Sequence, residues 1–131
     1  MIIQWKLYLE VNTVMKAQRL YKRTLKALQQ PEAEYQIAPY PYLKHGFFID
    51  DERHGYILTF KTSVQSQSWA DTILETLMLG RRLAKEWTLT GDFSTNLCGA
   101  AKSSRIQGII KMAWWLYKEQ ATSNQDSVAA D

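Results

Sequence analysis

The chain has 131 residues, 46% of them hydrophobic, 22% charged and 12% aromatic, and its 16 basic and 13 acidic side chains give a formal charge of +3. That length fits one domain, able to bury roughly two-thirds of its unfolded surface without help from disulfides or metal. The composition excludes a globally disordered or collagen-like chain, and no apolar run approaches the roughly 20 residues needed to span a bilayer.

Cys98 is the only cysteine, so no intrachain disulfide is expected, which fits a reducing cytoplasm. The first residues lack the basic and long apolar regions of a signal peptide. A charge of +3 is mildly basic, and its distribution carries more information than its sum.

Residues 2 to 11 alternate, with Ile3, Trp5, Leu7, Leu9 and Val11 on one side and Gln4, Lys6, Tyr8 and Glu10 on the other. This is the period of a half-buried strand. Asn12 or Thr13 then supplies an N-cap, and the period becomes helical through Val14, Ala17, Leu20, Tyr21, Leu25 and Leu28. The helix ends before Pro31, because proline disfavours helical geometry in the residue ahead of it. Its outer face carries Lys16, Arg19, Lys22, Arg23 and Lys26, and no acid occurs between residues 11 and 31.

Residues 39–49 read as a proline-punctuated extended segment ending as a strand, with Pro39 and Pro41 placing its start at a sheet edge. The polar run Asp50, Asp51, Glu52, Arg53, His54, Gly55 reads as a hairpin turn, Gly55 being free to take a positive φ. Residues 56–62 form the return strand. Ser68 caps a second helix, for which Ala70, Ile73, Leu74, Leu77, Leu83 and Ala84 are the expected core face and Gly80 a point of close approach. Residues 87–91 are a short strand, and the small, polar residues 92–107 a long loop.

Residues 108–118 fit either period. As a helix they would hold Gly108 inside and expose Trp115, and adjacent tryptophans favour a pleated surface. The strand is therefore preferred, with Ile110, Met112, Trp114 and Leu116 inward. The order β-α-β-β-α-β-β opens with the split-βαβ pattern. The expected fold is thus α+β: a ferredoxin-like antiparallel sheet with two helices on one face and an extra C-terminal strand. Residues 1–118 form the single domain and 119–131 a flexible polar tail. The alternative is an α+β fold closed by a third helix.

Familiar catalytic chemistry finds little support. Cys98, His45 and His54 lie in no recognisable nucleophile–base signature. The acids at 50–52 lack the spacing of a calcium loop, and no paired His and Cys spacing suggests zinc. Gly99-Ala100-Ala101-Lys102-Ser103 lacks the adjacent Gly-Lys of a phosphate-binding loop. No enzyme, metal or cofactor is expected. Two surfaces remain, the basic face of the first helix and the sheet face away from the helices. The latter is expected to show Lys6, Tyr8, Lys61, Thr88, Thr90, Lys111, Trp115 and Tyr117.

The alternating opening strand, Leu-Gly-Arg-Arg-Leu at 79–83 leading to Trp-Thr-Leu-Thr-Gly at 87–91, and Gly-Ile-Ile-Lys-Met-Ala-Trp-Trp-Leu at 108–116 form a layout over residues 1–118. That layout resembles small bacterial proteins, many of them immunity proteins of polymorphic toxin systems, including contact-dependent growth inhibition. The resemblance implies a non-enzymatic cytoplasmic protein that binds one toxin domain and blocks its active site. The residues chosen for that contact are Tyr8, Trp115 and Tyr117 on the open sheet, with Asp50, Asp51 and Glu52 at the hairpin as charge partners. The alternative is a small nucleic-acid-binding module using Lys16, Arg19, Arg23 and Lys26, and a weaker third reading is an enzyme with a pocket under the 92–107 loop. No membrane partner is expected, and the oligomeric state is left open.

Overall fold

The computed structural model describes residues 1–43 and 52–118. The alternating opening becomes β1 (Ile2–Leu9), in which Ile3, Trp5, Leu7 and Leu9 are buried. Thr13, in extended backbone, accepts a bond from the Lys16 backbone N–H at 3.2 Å and starts α1 (Val14–Leu28). The buried stripe of α1 is Ala17, Leu20, Tyr21, Thr24, Leu25 and Leu28. Val14, expected inward, lies a turn ahead of that stripe and is exposed. Gln29 ends the helix in the left-handed region (φ 57°), its N–H reaching back to the carbonyls of Leu25 and Lys26. The Tyr21 hydroxyl donates to the Ala33 carbonyl (2.7 Å) and accepts from the Ala33 N–H (3.0 Å), which pins the following connection to the helix.

β2 (Tyr35–Leu43) runs through Pro39 and Pro41 at the edge of the sheet, where prolines remove no needed ladder bond. β3 (Glu52–Ser63) pairs with it from Leu43↔Glu52 onward. This corrects the expected turn: Glu52 and Gly55 are strand residues, and the positive-φ glycines among the described residues are Gly91 and Gly108. Charged and polar types at the end of a strand had the composition of a turn. His45, Asp50 and Asp51 lie outside the described residues, as does the tail 119–131.

Ser68 caps α2 (Trp69–Leu83), its side chain accepting from the Asp71 N–H at 3.1 Å. Its core face differs from the one expected. Thr72, Thr76, Leu79, Gly80 and Leu83 are buried, whereas Ala70 and Leu74 are exposed and Ile73 and Leu77 half-buried. The physical reason is local: the Thr72 hydroxyl donates to the Ser68 carbonyl and the Thr76 hydroxyl to the Thr72 carbonyl, each at 2.8 Å. A threonine satisfied one turn back presents only its methyl group to the core. Thr24 does the same toward Leu20 in α1.

β4 (Thr88–Asp92), β5 (Asn96–Ala101) and β6 (Ile109–Tyr117) form an antiparallel meander. β5 corrects the long loop expected over 92–107. Its glycine has a packing role, since a Cβ on Gly99 would stand 2.4 Å from the Trp114 indole. β6 is a strand as expected, but Ile109 is buried in place of Ile110. The pairing with β1 jumps from Tyr8↔Lys111 to Leu9↔Ile109, leaving Ile110 as the extra residue of a bulge.

Among the described residues the sheet has six strands, one more than expected, in the order β2-β3-β1-β6-β5-β4, every neighbour antiparallel. The class is α+β with two helices, both on one face. The Tyr21 ring of α1 lies edge-on to Phe60 (5.4 Å), and Gly80 of α2 lets the indoles of Trp87 and Trp114 come close. Trp5 stacks on Phe60 at 6.2 Å and donates its indole N–H to the Thr62 hydroxyl at 2.9 Å. Trp114, equally buried, has an indole N–H with no hydrogen-bond partner.

Candidate functional site

Strand geometry sends alternate residues to opposite sides, so the register that buries Trp5 and Trp114 also fixes what the other face displays. One row across the sheet reads Lys61, Gln4, Trp115, Cys98, Thr90. The next reads Gln36, Thr59, Lys6, Ala113, Ala100, Thr88, and a third Ala38, Ile57, Tyr8, Lys111. All eight residues expected on this face are on it.

Its centre is cationic. Lys6, Lys61 and Lys111 project from β1, β3 and β6, and Asp92, at the end of edge strand β4, is the one carboxylate among the outward positions of the described strands. The Ser94 hydroxyl, and after it the Ser94 backbone N–H, donate to the Asp92 carboxylate and hold its pKa below the usual value. The acid at this corner is therefore tied down locally and does not neutralise the lysines.

Tyr8 is the meeting point. The ammonium groups of Lys111 and Lys6 lie 4.6 and 5.3 Å from its ring centroid, within cation–π range, and the Tyr40 ring stands edge-on at 5.2 Å. Two lysines held over one ring keep their charges at a fixed place on the surface. Trp115 is half-buried between Gln4 and Cys98, and Tyr117 and Ile2 are more than half exposed toward one end. Beside Lys61 and Gln4 a shallow depression of about 400 Å³ is completed by Glu34, Tyr35, Gln36, Thr59 and Phe60.

The structure thus brings Tyr8, Trp115 and Tyr117 onto one surface. Glu52 stands at the start of β3, and Asp50 and Asp51 fall outside the described residues, so the described surface is aromatic and basic. Lys16, Arg19, Arg23 and Lys26 are all exposed on α1, on the opposite side of the molecule. There the Lys16 ammonium donates to the Asn12 side chain (3.1 Å) and Arg19 to the Met15 sulfur (3.6 Å). Sequence reasoning missed Tyr40, because its segment was read through its prolines; the alternation Ala38, Tyr40 opposite Ile57, Gly55 would have placed it. Cys98 is half-buried among Trp115 and Thr90. Among the described residues no three His, Cys, Asp or Glu side chains cluster as metal ligands, and no helix is long and apolar enough to cross a membrane.

Compared with protein-family models, curated proteins and solved structures, the chain matches none of them.

Proposed function

We propose that the protein is a non-enzymatic binding module that seats an acidic partner protein on its open sheet face. We further propose that it is an immunity protein, acting in the cytoplasm, which blocks the active site of a cognate toxin domain. The observation that carries the reading is a face that no other described element covers, where Lys6 and Lys111 flank Tyr8, Lys61 stands in the row of Trp115, and the central rows hold no carboxylate. Tyrosine and tryptophan are enriched at binding hot spots, and fixed positive charge steers an acidic surface into register. Six strands about 4.8 Å apart and roughly 20 Å long offer on the order of 500 Å², most of the about 800 Å² per partner of a standard interface. The sign of the face selects a toxin domain with an acidic active-site surface over one with a basic nucleic-acid cleft. In this reading β1, α1, β2, β3, α2 and β6 are a split-βαβ, ferredoxin-like unit with strands in the order β2-β3-β1-β6, into which the β4–β5 hairpin is inserted ahead of β6.

A second reading rests on one observation: α1 exposes Lys16, Arg19, Arg23 and Lys26 and contains no acid. A nucleic-acid module would use that face, and its affinity would fall steeply with salt. Capture from lysate with and without nuclease, followed by co-expression with a toxin domain encoded beside it, separates the two. Nuclease-resistant capture and protection of cells, both lost in Lys6→Glu/Lys111→Glu but kept in Lys16→Glu/Arg23→Glu, support the first. Wild-type protein that gives no protection removes the immunity reading, and nuclease-sensitive capture that needs Lys16 and Arg23 transfers the function to α1.

A further inference from the structure

The helical side carries a second surface, created by the way α2 packs. Because Thr72 and Thr76 face the core, Leu74 and Met78 turn outward and are 58% and 67% exposed. They line a groove of about 430 Å³ whose far wall is the end of α1 at Leu28. The same groove has an acid near one end, Asp71, and a base at the other, Arg82. Neither is paired among the described residues, whereas Glu75, a second acid lining the groove between them, already accepts from the Ser66 hydroxyl at 2.7 Å.

We infer that this face of α2 is the contact between two copies of the chain, packed antiparallel about a twofold axis at the middle of the helix. The pattern is self-complementary, as a twofold contact requires. Turning one helix end for end sets Asp71 against Arg82 of the second copy and, by symmetry, Arg82 against its Asp71. Leu74 then falls beside Met78 of the second copy, so the apolar pair covers its own image. An anionic membrane or nucleic acid would not match a groove with an acid at one end, and a partner of uniform charge would clash with one end or the other. A parallel arrangement would bring like charges together. The contact is a helix pair about 22 Å long with the ends of α1 beside it, at the small end of specific interfaces, so the dimer is weak and concentration-dependent. It leaves the open sheet face free and does not depend on the function proposed for that face.

Sedimentation velocity of the full chain across a concentration series tests it. The wild type is expected to show a monomer–dimer equilibrium. Asp71→Arg alone and Arg82→Asp alone should each weaken it on the order of tenfold or more, since each creates two like-charge contacts. Mixing the two single variants should restore a dimer, now between unlike chains, and the double variant should dimerise with itself. Thr88→Lys, exposed on the other face of the sheet, should leave the monomer–dimer equilibrium unchanged. Circular dichroism checks that each variant remains folded. A wild type that stays monomeric to about 1 mM, a dimer untouched by both reversals, or a mixture that fails to regain it would each overturn the contact.

Discussion

Trp114 and Trp115 are consecutive residues of β6, and they divide the molecule between them. Trp114 is fully buried against Gly80, Gly99 and Trp87, whereas Trp115 lies half-exposed among Gln4, Cys98 and the lysine rows. The same contrast holds for Leu7 against Tyr8 in β1 and Phe60 against Lys61 in β3. One pleated sheet thus carries two separable surfaces, one that holds the fold together and one that costs the fold little to change. Mutating neighbours in sequence should therefore give opposite kinds of effect.

The largest expected effect is Trp114→Ala, which should lose about 3–5 kcal/mol of stability in chemical denaturation, while Trp115→Ala stays within about 1 kcal/mol. Partner affinity should reverse that order, Trp115→Ala weakening it by on the order of 2 kcal/mol. Equal destabilisation by the two would erase the distinction between the faces. Next comes the pair Gly99 and Ala100 in β5. Gly99→Ala drives a Cβ into the Trp114 indole and should cost about 1–3 kcal/mol, whereas Ala100→Val, outward, should lie within about 0.5 kcal/mol.

The covered face is itself uneven, because Trp5 has a hydrogen-bond partner and Trp114 has none. Trp5→Phe leaves the Thr62 hydroxyl without its donor, so it should cost about 1 kcal/mol more than Trp114→Phe, read from the same denaturation curves. A larger loss from Trp114→Phe would mean that its N–H does have an acceptor. The smallest effect belongs to the open face's corner. Asp92 has its folded pKa lowered, so its stabilising share is present above the unfolded value near 3.8 and disappears as pH falls through the folded value. Between about pH 6 and pH 2, the melting temperature of Asp92→Asn should therefore fall slightly less than that of the wild type. Parallel curves would show that the Ser94 contacts are not maintained in solution.

What the sequence made legible follows from how each residue declares its environment. β1, both helix caps, the edge position of the prolines and the strand over 108–118 were readable because period and capping chemistry agree there. Tyr8, Trp115 and Tyr117 were placed on the open face by the same alternation. Three things were hidden. β5 is hidden because Cys98, Gly99, Ala100 and Ala101 are small and carry little strand signal; for Gly99 the cause sits in another strand, where the Trp114 indole takes the space of a side chain. The core face of α2 was misread because Thr72 and Thr76 look polar until their hydroxyls are satisfied within the helix. The start of β3 was misread because Glu52 to Gly55 have the composition of a turn.

The place of β1 in the sheet has a consequence for how the protein is made. Ile3 pairs with Thr62 on one side and with Leu116 on the other, so during synthesis β1 waits for a partner strand made about 110 residues later. Contacts about 110 residues apart must close late, and chains dominated by such contacts fold slowly. Until β6 arrives, one edge of β1 offers unpaired backbone groups to any neighbouring nascent chain, with Trp5 and Leu7 beside it as an uncovered apolar strip. The interval between synthesis of residues 2–9 and of residues 109–117 is thus the time when this chain is most open to mispairing, and its length is set by translation speed.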